Sequence, residues 1–351
     1  MNVEKLFSII ENTNKITLCW FKNIFSPFKI LGKINPLFIL WGVFHHISSY
    51  FIMINTQRAY LELHIAVFLF GFTAILGGLI HLTAIVLVWW RIFITCSAII
   101  GYGNIFQKIK ALPRGIVLRL VGIGVIVAVH WLAFFGAVKL ANASVALVTF
   151  ATTSFQSSLL EPLLTRKPIK WYEVMLGVVI VPAMAFVVGS LPSSMNLGLW
   201  AGLASATLAV IFSILNKQMI EKADPLSITF LNLSGGWILL SLIMPFYLMM
   251  DTTAHFMPAG WDWAYLFVLA LLCTNLGYML AIRSLRYLSA FASNLTINLE
   301  PVYGIILAWL ILKENKQMSS TFYMGASLII VSVLSYPFLK NRYAKEMMND
   351  E

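Results

Sequence analysis

Long apolar runs follow one another along the sequence from Leu61 to Leu339, and each is about 18 to 24 residues long. A helix of about 20 apolar residues crosses the hydrocarbon core of a bilayer, which is roughly 30 Å thick. Within lipid, only helices and closed barrels satisfy every backbone N–H and C=O group, and these runs lack the alternation of barrel strands. The sequence therefore predicts an all-α polytopic membrane protein.

Composition argues against a soluble globular protein. Hydrophobic residues make up 60% of the chain and charged residues 11%, whereas soluble domains carry roughly 25% charged residues. The net charge of +10 does not indicate a nucleic-acid partner, because Lys and Arg lie in the breaks between the runs. The three cysteines form no C-x-x-C pair, so we expect neither a disulfide framework nor a metal site.

Turn-forming residues divide the apolar region into ten predicted spans, which we interpret as two five-helix halves, 61–190 and 196–339. Breaks are marked by segments such as Leu191-Pro192-Ser193-Ser194 and Asp224-Pro225. The predicted spans are 61–80, 82–102, 118–138, 143–164, 171–190, 196–216, 227–248, 263–283, 289–312 and 322–339.

Charge in the breaks predicts the orientation. With a cytoplasmic N-terminus, only Lys139, Lys313 and Lys316 of the 24 Lys and Arg residues fall on the outer side, and Arg91 lies inside the second span. Cytoplasmic loops of membrane proteins carry an excess of Lys and Arg. We therefore expect a multi-pass protein of the cell (plasma or inner) membrane with both termini, including the tail 340–351, in the cytoplasm.

The N-terminal extension, 1–60, fits the span pattern poorly. Residues 36–54 are apolar enough for an eleventh span, but they include His45 and His46, and crossing would move five lysines outside. A basic, aromatic segment lying on the membrane surface is the alternative. A third interpretation is that translation begins at Met53, and the sequence leaves all three open.

An odd number of spans in each half makes the second half enter the membrane from the opposite side. Such inverted repeats are typical of secondary transporters. One pair of breaks supports the division, because Lys139 to Ala143 corresponds to Arg286 to Ala290 at an offset of 147 residues. Ala143/Ala290 and Thr149/Thr296 are the identities in that frame over the fourth and ninth spans, so the repeat rests on hydropathy.

Two stretches resemble the EamA-like family of drug/metabolite transporters. The second half contains SLRYLSAFASNLTINLEPVYGIILAWLILKEN from Ser284, and the first half contains VHWLAFFGAVKLANASVALVTF from Val129. The resemblance covers roughly 61–339 and is most specific at Leu299-Glu300-Pro301 and the following Lys313-Glu314. It implies ten helices in two inverted five-helix repeats, a central cavity, and export or uptake of small metabolites without ATP hydrolysis. One departure is that Ser154 stands opposite Pro301 in the first half.

Two ionisable residues lie near the middle of predicted spans, where a charge costs several kcal/mol unless it faces the bundle interior. Glu300 is about 16 Å into its span at 1.5 Å per residue. It is a candidate proton-coupling or substrate-binding carboxylate, or alternatively a stabiliser of a kink at Pro301. Arg91 is a candidate partner of Glu300, a candidate anion-binding group, or part of a buried structural pair.

Polar and aromatic residues near midspan complete the candidate set. His130 and Trp131 combine a titratable group with a stacking surface, although a histidine in a helix-packing seam is the alternative. Uncharged polar residues such as Asn216 and Asn232 also recur at midspan, and interhelical hydrogen bonds are the alternative interpretation for most of them. The substrate or coupling candidates are Glu300, Arg91, His130, Trp131, Gln156, Asn275, Tyr278, Asn298 and Tyr303.

Several function classes lack their motifs. No G-x-x-x-x-G-K-[ST] loop, H-E-x-x-H or G-x-S-x-G pattern occurs, so we expect no nucleotide drive, no cofactor and no enzymatic activity. The predicted function is secondary transport of a small organic solute by alternating access, with possible proton coupling. The alternative is a receptor, scaffold or enzyme subunit with the same fold and no transport, and the oligomeric state is left open.

Overall fold

A computed structural model describes residues 36–101, 104–166, 168–169, 171–297, 299–328, 330–332 and 335 of the chain. Contacts divide the chain into two compact units, Met1–Asn55 and Thr56–Glu351. In the first unit, the described residues are 36–55, which form the first part of the first helix. The second unit contains all of the predicted spans.

Helices make up almost all of the described residues, and those residues include no strand. Their bounds are α1 Pro36–Leu79, α2 Ala84–Gly101, α3 Ile105–Lys110, α4 Arg114–Leu140, α5 Ala143–Phe150, α6 Thr153–Thr165, α7 Trp171–Ser190, α8 Asn196–Met219, α9 Pro225–Met250, α10 Asp262–Val268, α11 Gly277–Ser284, α12 Ala290–Ile297, α13 Glu300–Leu307 and α14 Ser320–Ser332. Two π-helical segments, Leu269–Leu276 and Ala308–Leu312, follow α10 and α13.

Within the described residues, seven helical stretches are long and apolar enough to cross a membrane. They are Asn55–Leu79, Ala84–Gly101, Arg114–Leu140, Ala143–Thr165, Ser193–Met219, Pro225–Met250 and Asp262–Ser284. The predicted fifth span coincides with α7, and the ninth and tenth fall on the shorter apolar helices Glu300–Leu312 and α14. The all-helical membrane class is therefore confirmed, whereas the ten-span count and the inverted repeat stay predictions.

The N-terminal and C-terminal predictions are not decided. Residues 36–54 are helical as the first part of α1, and the three interpretations of this segment remain open. Residues 1–35 and the tail 340–351 lie outside the described residues.

Two of the predicted spans are interrupted at corresponding positions. The fourth is divided between α5, which ends at Phe150, and α6, which begins at Thr153. The ninth is divided between α12, which ends at Ile297, and α13, which begins at Glu300. All four bounds obey the offset of 147 residues that relates Ala143 to Ala290. The two halves thus share a backbone feature where they share almost no sequence.

The interruptions have different local causes. Pro301 occupies the first turn of α13, where its missing N–H and fixed φ are compatible with a helix start. The first half has no proline there, but the Thr152 hydroxyl donates to the Thr149 carbonyl at 2.7 Å, and Gln156 Nε2 donates to the Thr152 hydroxyl at 2.9 Å. Side chains that hydrogen-bond to nearby backbone groups compete with the helical ladder, so a threonine pair accounts for this break.

The interrupted helices pack against each other in opposite directions. Helix α5 contacts α13, and α6 contacts α12, so the first segment of each span meets the second segment of the other. The approach is close at Gly304, where an added Cβ would come within 2.4 Å of Leu147 Cδ1. This is the arrangement expected if an inverted repeat relates the halves.

A glutamate from the end of the ninth predicted span caps the start of the fourth. Glu314 is 5% exposed and accepts hydrogen bonds from the Ala143 backbone N–H at 3.1 Å and from the Ser144 N–H at 2.9 Å. The Ser144 hydroxyl donates to the same carboxylate at 2.6 Å. A carboxylate at a helix N-terminus satisfies unpaired N–H groups and interacts favourably with the helix dipole. Glu314 therefore connects the start of α5 to the segment that follows Leu312.

Glu314→Gln is expected to destabilise the folded protein, because an amide NH₂ cannot accept the hydrogen bonds that one of the two carboxylate oxygens accepts. Loss of charge-assisted bonds of this kind costs on the order of 1–3 kcal/mol. Thermal unfolding in detergent should show a lower Tm. Glu221→Gln, at an exposed position between α8 and α9, is the matched control, and an equal Tm for both variants would contradict the capping role.

Candidate functional site: a buried cavity lined by both halves

A buried cavity lies between helices of the two predicted halves. It offers about 80 Å³ to the centres of water-sized molecules, where one water needs about 10–15 Å³ on the same measure. It therefore has room for several waters or a small organic molecule. The lining residues are Phe70, Thr73, Arg91, His130, Trp131, Phe134, Phe150, Ala209, Phe212, Ser213, Tyr278, Ala281, Ile282, Leu285, Ser293, Ile297 and Glu300.

Arg91 on α2 is the positive group of the cavity and is only 2% exposed. Its Nε donates to the Thr274 hydroxyl at 2.5 Å, and its guanidinium carbon lies 4.0 Å from the centroid of the Trp131 ring. A cation over an indole face is attracted by the ring quadrupole, more strongly when water is excluded. Nη1 is buried and has no hydrogen-bond partner.

The hydroxyl that holds Arg91 belongs to the first π-helical segment. Thr274 Oγ1 donates in turn to the Leu269 carbonyl at 2.7 Å, five residues earlier. The Thr95 hydroxyl of α2 donates to the Ala270 carbonyl at 3.1 Å. Short π-helical insertions change the direction of the residues on a helix and are common at functional sites. Here the insertion brings Thr274 towards Arg91.

Glu300 is the carboxyl group that lines the cavity, and it is 4% exposed. Among the described residues, no cationic side chain has a nitrogen within 4.0 Å of the Glu300 carboxyl oxygens, the distance that defines an ion pair. Arg91 is near enough to interact with it electrostatically. The two charges therefore face one cavity without a direct salt bridge, which leaves space between them.

Aromatic side chains form most of the remaining wall. The His130 ring lies 5.6 Å from the Phe150 ring and 5.3 Å from Phe212, and the Trp131 and Tyr278 rings meet edge to face at 6.2 Å. Aromatic walls give a large apolar contact surface, while a few polar groups fix the orientation of a ligand.

His130 lies where two helices pack together, as its alternative interpretation proposed, and it also lines the cavity. Its Nδ1 lies 2.9 Å from both the carbonyl and the hydroxyl oxygen of Ser205 on α8. A neutral ring with its proton on Nδ1 donates to the carbonyl, and Nε2 is then left as an acceptor. The sequence offered no signal that would have singled out Ser205.

A buried amide pair fixes Tyr278. Asn232 Nδ2 donates to Asn216 Oδ1 at 2.8 Å and to the Tyr278 hydroxyl at 3.0 Å, and Asn216 Nδ2 donates to the same hydroxyl at 3.2 Å. The interhelical interpretation of the two asparagines is thus confirmed. The network joins α8, α9 and α11.

The candidate set divides into three groups. Glu300, Arg91, His130, Trp131 and Tyr278 come together around the cavity. Gln156, Asn275 and Tyr303 are not among its lining residues, and Asn298 lies outside the described residues. Within the described part of the chain, no three His, Cys, Asp or Glu side chains form a group that would hold a metal ion.

Comparison with known families agrees with the resemblance noted in the second half. Residues 196–336 match the model of the EamA-like transporter family. The match runs from the start of α8 through α14 and includes Tyr278 and Glu300, whereas Arg91, His130 and Trp131 lie before it.

A solved structure extends the likeness to most of the chain. A protein whose title is "Crystal structure of protein" is 14% identical and superposes with a TM-score of 0.60, over 82% of this chain and 99% of its own. At that identity the likeness shows the fold alone. No curated protein matches the chain. The EamA-like match and the apolar helices together indicate a multi-pass membrane protein.

We expect Asn232→Ala and Tyr278→Phe to be energetically coupled, because each removes one side of the same buried hydrogen bond. Each single change should lower stability by about 1–3 kcal/mol, since it leaves buried polar atoms unpaired. The loss of stability in the double variant should be smaller than the sum of the two single losses. Thermal unfolding measures the cycle, with Asn196→Ala at an exposed position of α8 as the control. Strict additivity would show that the network does not hold the tyrosine.

Proposed function

We propose that the protein is a secondary transporter that moves a small organic solute by exposing the cavity alternately to the two sides of the membrane. The EamA-like match of the second half supports the transporter class. The observation that carries the proposal is the cavity itself, whose walls come from both predicted halves and contain a cation and a carboxylate that form no direct ion pair.

Polar contacts at opposite ends of the cavity helices are suited to opening and closing. Glu62 of α1 binds Arg283 of α11 through two hydrogen bonds, one of them 2.8 Å long. Helix α1 ends about 25 Å further along, at 1.5 Å per residue. Two residues beyond that end, the His81 backbone N–H donates to Asp262 at 3.2 Å. Loss of one set while the other persists would open the cavity to one side only, which is the rocking motion that repeat-built transporters use.

In this proposal, Glu300 carries the coupling proton. An ionised carboxylate is costly in a buried cavity with mostly apolar walls, and its protonation or the arrival of a cation removes that cost. Glu300 lines the cavity near Arg91, so its charge state changes the electrostatic environment of anything bound there. Proton movement and solute movement would then be linked through one space.

The proposed setting is the cell membrane with both termini cytoplasmic. The arrangement rests on the uneven distribution of Lys and Arg between alternate loops. It places the Glu62–Arg283 contact at the cytoplasmic end and the His81–Asp262 and Glu314 contacts at the outer end.

Glu300→Gln keeps the shape of the side chain and removes its titration. In proteoliposomes screened with a metabolite panel, the wild type should accumulate a solute when a pH gradient is imposed. The variant should lose gradient-driven accumulation, while exchange of the same solute across the membrane is retained or slowed. Glu221→Gln, at its exposed position, should behave as the wild type.

Two outcomes would contradict the proposal separately. Normal gradient-driven accumulation by folded Glu300→Gln would eliminate the coupling role and leave Glu300 as a structural partner of the Pro301 helix start. No movement of any panel solute by wild-type protein, in either direction, would favour a receptor or scaffold with the same fold.

A further inference from the structure

Arg91 is a buried cation that has no direct anionic partner among the residues that the structure describes. It is 2% exposed and lines the cavity, and its Nη1 donates to no group. No carboxylate of the described residues lies within 4.0 Å of its guanidinium. Removing a guanidinium from water is costly unless an anion and hydrogen bonds replace the solvent. The missing partner is therefore expected in the ligand.

The guanidinium is fixed before any ligand arrives. The hydroxyl of Thr274 holds Nε at 2.5 Å, and the Trp131 ring lies under the guanidinium carbon at 4.0 Å, with Phe135 at 5.4 Å. Nε is already occupied, and Nη1 is buried without a hydrogen-bond partner. The planar guanidinium fork matches the two oxygens of a carboxylate. Preorganisation of this kind reduces the entropy cost of binding.

We propose that Arg91 is the anion subsite of the cavity and binds the carboxylate of an organic acid, whose apolar body lies against the aromatic wall. Thr274 acts as a positioning residue, because it touches the guanidinium and not the ligand. This inference rests on the proposed transport function and assigns its substrate class. The aromatic lining favours a carboxylate with an aryl or other large apolar group over a small inorganic anion.

The proton and the carboxylate are then linked. An ionised Glu300 repels a carboxylate at Arg91, and a protonated Glu300 does not, so each ligand favours binding of the other to the same degree. The titratable or charged groups that surround this space are Arg91, His130, Cys273, Tyr278 and Glu300. Glu300 is the acid among them whose proton offsets the added negative charge. The transported unit is accordingly a carboxylate together with a proton.

Binding to the full-length purified protein tests the subsite with matched probes. Benzoate, phenylacetate and indole-3-carboxylate are compared with benzamide, phenylacetamide and indole-3-carboxamide by calorimetry and thermal stabilisation. We expect at least one carboxylate to bind, and its amide to bind at least about 30-fold more weakly or not at all. Loss of one partner of a buried, hydrogen-bonded charge pair costs about 2 kcal/mol or more, which corresponds to about 30-fold in affinity. Failure of every carboxylate to bind, or equal binding of the amides, would overturn the proposal.

Variants test the binding role of Arg91 and the positioning role of Thr274 separately. Arg91→Gln should abolish carboxylate binding, whereas Arg119→Gln, at an exposed position of α4, should not change it. Thr274→Val should weaken binding several-fold, and Thr274→Ser, which restores the hydroxyl, should recover it. Thr207→Val on α8 is the control for loss of a threonine hydroxyl. If Arg91→Gln misfolds, the Thr274 pair still decides, because Val and Ser variants with equal affinity would contradict the positioning role.

Proton uptake tests the linkage. Calorimetry in buffers of different ionisation enthalpy, from about pH 5 to about pH 9, should reveal uptake of up to about one proton per carboxylate bound, and none in Glu300→Gln. No uptake at any pH would refute the linkage. Carboxylate binding without transport would support the subsite and refute the transport function. Transport of a neutral or cationic solute without carboxylate binding would support the transport function and refute the subsite.

Discussion

The cost of keeping a guanidinium away from water governs the arrangement of the cavity. The backbone groups of α2 hydrogen-bond within the helix, so they do not replace the water that the Arg91 guanidinium has lost. Side chains of neighbouring helices replace it instead. Thr274 supplies an acceptor, Trp131 and Phe135 supply ring faces, and Glu300 supplies an opposite charge across the open space. The π-helical segment that presents Thr274 is explained by the same requirement, since Thr95 and Thr274 hydrogen-bond to carbonyls of that segment.

The interrupted helices determine where this charge pair can lie. Glu300 begins α13 directly after the interruption of the ninth predicted span, and α13 packs on α5, whose own span is interrupted at the matching position. The crossing helices approach closely through Gly304 and Leu147. Glu314 then fixes the start of α5 from the far end of the ninth span. A movement of one half relative to the other would therefore act on Glu300 through short, direct contacts.

The sequence predicted the all-helical membrane class, and it singled out Arg91 and Glu300, both of which line the cavity, for physical reasons. Span length and the lack of alternation required apolar helices, and the cost of intramembrane charge directed attention to Arg91 and Glu300. Trp131, His130 and Tyr278 were identified from their midspan positions. The frame that relates Ala143 to Ala290 was visible in the loop pattern, and the helix interruptions follow it.

Other features depend on contacts between distant segments and could not be predicted. Thr274 reaches Arg91 because it lies in a π-helical segment, and a hydropathy pattern does not reveal such a segment. Ser205 matters because it lies on α8 opposite His130 of α4, a contact between distant parts of the sequence. The first-half interruption lacks the proline that would signal it and depends instead on Thr149 and Thr152. Gln156, a candidate for substrate contact, donates to the Thr152 hydroxyl next to that interruption.

Accessibility of the cavity from both sides is the most direct test of the central claim. Ser213 on α8 lines the cavity and is 6% exposed, so Ser213→Cys in a chain whose Cys19, Cys96 and Cys273 are replaced by serine provides a single reporter. A membrane-impermeant thiol reagent is applied to the outer or the inner face of sealed vesicles of known orientation. The account predicts labelling from each face in separate experiments, at rates that change in opposite directions when a substrate gradient is imposed. Labelling from one face only, under every condition, would contradict alternating exposure.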